Sequence, residues 1–272
     1  MRVIKQNNAT SRVLLSALLG GLLIVWPAVV THSSPAPGQT FDHDHKVFAA
    51  LLGRYVKAGL VDYPDLARRG RGALDSYLRA LGSVEQPQYD DWSRNQRLAF
   101  WINAYNASVL GLVLDNYPLS SIQDIGLLPG SAFRRRFVEL PGLASGRLSL
   151  DDIEHDIIRP RFDEPLAHMA LVCAARSCPP LLSQPYRAQL LHEQLEMQAR
   201  RFLAHPERNR YSPADDTLQL SRIFDWYRED FEKEAGSLLA WLRPRLPGAT
   251  AEAVSQTTII RFMNYNWRLN QQ

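Results

Sequence analysis

The sequence predicts an α+β fold, helix-rich and with a small, mainly antiparallel sheet, behind an N-terminal targeting segment. Three observations carry that reading. Apolar residues recur at helical spacing through much of the chain. Short β-branched or alternating runs appear only between positions 137 and 150 and near residues 168, 218 and 258. An uncharged stretch near the start differs in composition from everything after it. With 272 residues, 46% hydrophobic and 22% charged, the chain is long enough to bury one sizeable core once that stretch is set aside.

The chain opens with Arg2, Lys5 and Arg12 ahead of an uncharged run from Val13 to Val30. Basic residues before an apolar run hold the start of a chain on the cytoplasmic side. The run has the length at which a secretory segment and a spanning helix overlap, since a bilayer needs ~20 apolar residues as helix. Pro27 breaks it, and the small, turn-prone residues from Thr31 to Gly38 offer ground for cleavage. Residues 1–38 are therefore expected to be a signal peptide or, uncleaved, an N-terminal membrane anchor. Residues 39–272 follow as one domain facing the periplasm, either free or tethered to the inner membrane.

Ala49, Leu52, Tyr55 and Val56 share one helical face, and Leu74, Tyr77, Leu78 and Leu81 share another. The strongest helix is expected from Arg94 to Asn116, where Leu98, Trp101, Ile102, Tyr105, Val109, Leu112 and Val113 form a broad stripe that Pro118 stops. Phe137 to Leu150 reads as a hairpin around Pro141 to Gly146. Ser149 is placed to cap a short helix through Ile158, with Asp151 and Asp152 in its first turn and Pro160 closing it. His168 to Val172 reads as a buried strand, Tyr186 to Leu203 as helix, Leu218 to Leu220 as strand, Ile223 to Phe231 as helix and Thr257 to Phe262 as a last strand.

The net charge of +3 is small, and it comes almost wholly from arginine, with lysine only at positions 5, 46, 57 and 233. That balance argues against a nucleic-acid partner. Arg134, Arg135 and Arg136 form the tightest basic run and read as a solvated face, so the membrane is expected to be met only through the N-terminal segment. No resident cofactor is expected, and the ligand is expected to be a small molecule or peptide.

Chemistry concentrates on few residues. Cys173 and Cys178 enclose four residues, too wide for a redox dithiol or a zinc knuckle, and no second pair stands at zinc spacing. In an exported protein they are either bridged or offer one thiol nucleophile. His155 stands one helical turn after Asp151 and Asp152, either of which can accept an imidazole N–H. His168 leads toward Cys173, although residues five apart on a strand face opposite ways. Asn103 and Asn106 interrupt the best helix on one side, as an oxyanion donor or a brace for a nearby loop would.

Five stretches resemble a family catalogued as domain of unknown function 547. They are Ala99-Phe-Trp-Ile-Asn-Ala-Tyr-Asn106, Leu150-Asp-Asp-Ile-Glu-His155 with Arg159, the run from His168 to Pro179, Ser221-Arg-Ile-Phe-Asp-Trp-Tyr227 with Asp230-Phe231, and Tyr265-Asn-Trp-Arg-Leu-Asn270. With Val61-Asp62-Tyr63 they span nearly everything from Phe41 onward. Met169 and Asn266 stand where the family usually has phenylalanine and often has aspartate. Some relatives are fused to glutaredoxin-like modules, which the resemblance links to thiol chemistry. Plant relatives replace the two cysteines but keep the histidines, which implies a shared site at Glu154, His155, His168, Asn103 and Asn106.

The leading expectation is a hydrolase or transferase with Cys178, or less favourably Cys173, as nucleophile and His155 or His168 as base. Asp151 or Glu154 would orient the base, and Asn103, Asn106 and Arg159 would contact the substrate. Two readings compete. One is a non-catalytic periplasmic binding or assembly domain with structural cysteines; the other is a divalent-metal site built from Glu154, His155 and His168.

Overall fold

Three helices build the N-terminal half: α1 (Lys46–Tyr55), α2 (Arg71–Gly82) and α3 (Arg94–Asn116). The computed structural model describes residues 40–272. The targeting segment read at residues 1–38 lies outside the described residues. Residues 38–272 form one compact unit with a hydrophobic core of their own.

Helix α3 starts where the sequence requires. Ser93 Oγ accepts from Gln96 N at 3.2 Å while Gln96 Oε1 accepts from Ser93 N at 2.9 Å, a reciprocal cap that satisfies two donors at the helix start. Every residue from 98 to 113 is buried. By length and mean hydropathy (1.2) the helix would be able to cross a bilayer, but 94% of its most apolar stretch is buried inside the domain. It is the core helix, with α2 packed on it and α1 on α2.

The strands are short. β1 (Val56–Lys57) and β2 (Leu60–Val61) make one hairpin, and β3 (Val138–Glu139) and β4 (Arg147–Leu148) make the hairpin expected around Pro141. After α4 (Leu191–Leu203) come β5 (Arg210–Ser212), β6 (Thr217–Leu220), α5 (Arg228–Ala235) and β7 (Ile259–Phe262). β5 pairs antiparallel with β6, and β6 pairs parallel with β7, so the largest sheet is mixed. The fold is α+β, as the periodicities indicate. The C-terminal residues then run back as a strap, bridging Ser121 through Arg268, Ala175 through Leu269 and Val61 through Gln271.

Four elements differ from the expectation, each for a local reason. His168 does not lead a strand: Pro165–Met169 is a 3-10 turn. Beyond it the Ala170 carbonyl and Val172 N–H bond to the Asn106 side chain at 3.0 Å each, which replaces a strand neighbour. Pro160 does not stop its helix. The turn Asp152–Ile158 is π-helical, with Arg159 N–H reaching back to Glu154 O, and helix continues through Pro160 to Phe162 before Asp163 takes a left-handed φ of 44°. The helix expected from Tyr186 begins at Leu191, because Tyr186 N and O are held by Asn103 instead. The helix expected over Ile223–Phe231 breaks at Tyr227, whose ψ of 24° ends Ile223–Trp226 before α5 starts.

Candidate functional site

The π-helical turn supplies the centre of the site. Ser149 and Asp152 cap it reciprocally, Asp152 N to Ser149 Oγ at 3.0 Å and Ser149 N to Asp152 Oδ2 at 2.8 Å. The widened turn that follows buries Glu154 against the core and leaves His155 exposed. Turns of this kind carry an extra residue per repeat and recur at functional positions.

Glu154 and His168 then join residues from α5. His168 Nε2 donates to Asp230 Oδ2 at 2.7 Å, and Nδ1 faces Glu154 Oε1 at 3.5 Å, an ion-pair separation longer than a good hydrogen bond. Arg159 holds Asp230 with two N–H groups, Nε to Oδ2 at 2.7 Å and Nη2 to Oδ1 at 2.8 Å. Such a bidentate fork is both strong and directional. Tyr105 Oη donates to Glu154 Oε2 at 3.4 Å. The Tyr227 ring stacks on the His168 imidazole at 3.8 Å between centroids.

Burial opposes charge on both members of this pair, yet their surroundings outweigh it. Burial pulls the His168 pKa down, but its hydrogen bond to Asp230 and the nearby Glu154 carboxylate carry it above the ordinary value. Burial pushes Glu154 up, but His168 and the Tyr227 hydroxyl bring it below the ordinary value. Asp230 is held far below the carboxylate range, first by His168 and then, against a smaller desolvation effect, by Arg159. The surroundings of His168, Glu154, Asp230 and Arg159 therefore each favour the charged form. Asp151, one turn from Glu154, is shifted the other way, raised chiefly by burial.

These groups border a cavity of about 260 Å³. Phe133, Trp226, Tyr227, Tyr265 and Trp267 give it aromatic walls; Asp151, Glu154, His155, His168 and the two cysteines give its polar lining. A larger cavity of about 430 Å³ lies against α2 and the β3–β4 hairpin, but its lining holds neither histidine nor cysteine.

The sequence-predicted residues separate in space. Asp151, Glu154, His155, His168, Cys173 and Cys178 all meet at the smaller cavity. Asn103 and Asn106 do not: both are fully buried, and each clamps a stretch of main chain, Asn103 at Tyr186 and Asn106 at Ala170 and Val172. Both side chains are taken up by main-chain hydrogen bonds that brace these loops. Arg159 holds Asp230 from behind and does not line the cavity. Its Nη1 also stands 3.1 Å from His155 Nδ1; a guanidinium only donates, so Nδ1 accepts and a neutral His155 carries its proton on Nε2. Asp152 serves its cap and Arg136, so it does not orient His155.

Cys173 and Cys178 are joined in a disulfide, with Cα atoms 5.9 Å apart. In this state neither is a nucleophile. Cys178 is buried and its sulfur accepts from Cys173 N at 2.7 Å, whereas Cys173 is partly exposed, with its sulfur 3.2 Å from Tyr265 Oη. Ala174, between them, holds a left-handed φ of 55°, and its carbonyl accepts from Asn270 N of the C-terminal strap. His168 is held at Nε2 by Asp230, while its buried Nδ1 makes no hydrogen bond and faces Glu154 at 3.5 Å. Among the described residues no group of three or more His, Cys, Asp or Glu is arranged to hold a metal ion.

Asp230, Tyr105, Tyr227 and Tyr265 belong to this site but were not singled out from residue chemistry. All four stand in the family-like stretches, Tyr105 in the first of them, and that placement is the sequence signal for them. Residues 89–203 match the family model described as "Protein of unknown function, DUF547". That span is a DUF547 domain. The DUF547 match covers Asn103 through Cys178, while the motifs at 221–231 and 265–270, which complete the cavity, lie beyond it. No curated protein and no solved structure is significantly similar to the chain.

Proposed function

We propose that the aromatic-lined cavity is an active site for acid–base chemistry, and that this DUF547 protein is a hydrolase or transferase acting on a small molecule or peptide with an apolar face. One observation carries the reading. Two carboxylates one helical turn apart border the same cavity with their pKa values pushed in opposite directions, Asp151 up and Glu154 down. Such a split assigns a proton donor and a proton acceptor. Burial makes Asp151 the readier proton donor, the pairing with His168 makes Glu154 the readier to stay ionised, and His155 at the rim relays protons to solvent.

The test is turnover of a panel of chromogenic esters, amides and glycosides by the purified protein. Glu154→Gln and Asp151→Asn should each lower the rate by about 10²–10⁴-fold with folding intact. Undiminished turnover in either variant overturns the assignment. Adding reductant decides the role of sulfur: activity that appears only with reductant, and is lost in Cys173→Ser, would restore the thiol nucleophile.

A second reading is a binding domain without catalysis, favoured by the bridged cysteines and by the asparagines that brace main chain. A wild-type protein that binds ligands in the cavity but turns over none of the panel supports it. Export to the periplasm fits both readings, because a disulfide persists in oxidising compartments. N-terminal sequencing of protein from periplasmic and membrane fractions tests it: a start between residues 31 and 40 means a cleaved leader, and an intact start in the membrane fraction means an anchor.

A further inference from the structure

Beside the cavity the chain displays an apolar tip that nothing in the domain covers. Leu127 is 100% exposed and Leu128 67%. The loop that carries them runs from Gly126 to Gly130, both with left-handed φ (92° and 75°), so it turns sharply out of the body and back. Arg134 Nη2 donates to the Pro129 carbonyl at 2.7 Å, which fixes the basic run against the loop. Arg134, Arg135 and Arg136 are all exposed, and Arg268, also exposed, is bridged to Ser121 just ahead of the loop. Four arginines thus stand against Asp124, Asp151 and Asp152, Asp151 close enough to feel Arg134 and Asp152 paired with Arg136 at 3.2 Å.

Aromatic rings complete the face. Phe133 lies in the turn after the loop, Trp267 packs on it at 6.5 Å, and Trp226, 47% exposed, stacks on Trp267 at 6.0 Å. Apolar tip, tryptophan belt and arginine collar are the three features that seat a protein at the boundary between headgroups and acyl chains. Exposed leucines by themselves select no partner. The surplus of arginine around them does, because anionic headgroups attract each such charge.

We propose that this loop and its arginines form a second membrane contact, with a bilayer rich in anionic lipid as the partner, and that it is independent of the N-terminal segment. Phe133, Trp226 and Trp267 also line the cavity, so the bound orientation sets the cavity mouth at the headgroup layer.

The experiment is vesicle flotation with residues 38–272, the unit that carries its own core, so that the N-terminal segment contributes nothing. Vesicles of phosphatidylglycerol mixed with phosphatidylcholine should carry the protein up the gradient, and vesicles of phosphatidylcholine alone should carry it far less. Leu127→Ser with Leu128→Ser should weaken binding about 100-fold, from the apolar burial lost by two leucines. Arg134→Gln with Arg135→Gln should weaken binding to the anionic vesicles about 30-fold and remove most of its salt sensitivity. All four positions are exposed, so the thermal midpoint should not move. Failure to float with either vesicle overturns the proposal, as does flotation unchanged by the leucine pair, or self-association through this loop in place of lipid binding.

Discussion

His45 and His168 are almost equally buried, 2% and 4% exposed, and each has one ring nitrogen 2.7 Å from an oxygen. Their charges nonetheless differ. His45 shares its bond with the Tyr77 hydroxyl, a neutral partner, and burial, helped by nearby His43 against Asp42, pushes its pKa down to about 4. His168 faces a carboxylate at each nitrogen, and these outweigh its burial and raise it. Partner chemistry, not depth, decides whether a buried imidazole is charged. One region of the domain is a neutral aromatic core where Phe48 stacks on Tyr77, and the other is an ionic network open to a cavity.

The largest expected effect is the pH dependence that separates the two. For His45 the unfolded chain binds more protons between pH 4 and 6.5, so stability rises with pH across that window, by about 3 kcal/mol in total. For His168 the sign reverses: its contribution is complete below pH 6.5 and is lost as pH climbs through its raised folded value. The wild-type profile should therefore turn over near pH 6.5. His45→Gln should flatten the acid side only, and His168→Gln the alkaline side only, in urea unfolding measured from pH 4 to 9. If either substitution flattens the opposite side, the assignment of charge is wrong.

Next in size is Asp230→Asn, which should make His168 resemble His45. It removes an acceptor shared by His168 and Arg159, at about 2 kcal/mol near pH 6, and lets burial dominate the imidazole. The His168 ring signals in NMR should then titrate at lower pH than in the wild type. A titration that stays above the ordinary imidazole value would mean that Glu154 alone holds the charge.

Much of this was legible in the chain. The apolar stripe from Leu98 to Val113 marks the core helix, the Pro141–Gly146 loop marks a hairpin, and Ser149 with Asp152 marks the start of the π-helical turn. Three features were not legible, because each depends on tertiary pairing. His168 looked like part of a strand since Met169 to Val172 is continuously apolar, and only the Asn106 clamp shows that a side chain takes the place of a neighbouring strand. The π-helical turn has no marker in sequence, since Pro160 reads as a stop unless the preceding bonds reach back five residues. No spacing in the sequence marks His45, because its partner Tyr77 stands thirty-two residues away.

The smallest effect tests the neutral half of the comparison. Tyr77→Phe keeps the ring that stacks on Phe48 at 4.7 Å and removes only the hydroxyl that meets His45 Nδ1. A hydrogen bond between neutral groups contributes about 1 kcal/mol, and the nitrogen left behind is buried, so unfolding should become easier by roughly 1–2 kcal/mol. The charge of His45 should not change, because burial is the first cause of its low pKa and a neutral hydroxyl is not among the causes. The acid side of the stability profile should therefore keep its slope while its height falls. If the slope changed as well, the hydroxyl would be governing the protonation of His45, and the contrast with the carboxylate-held His168 would be one of degree.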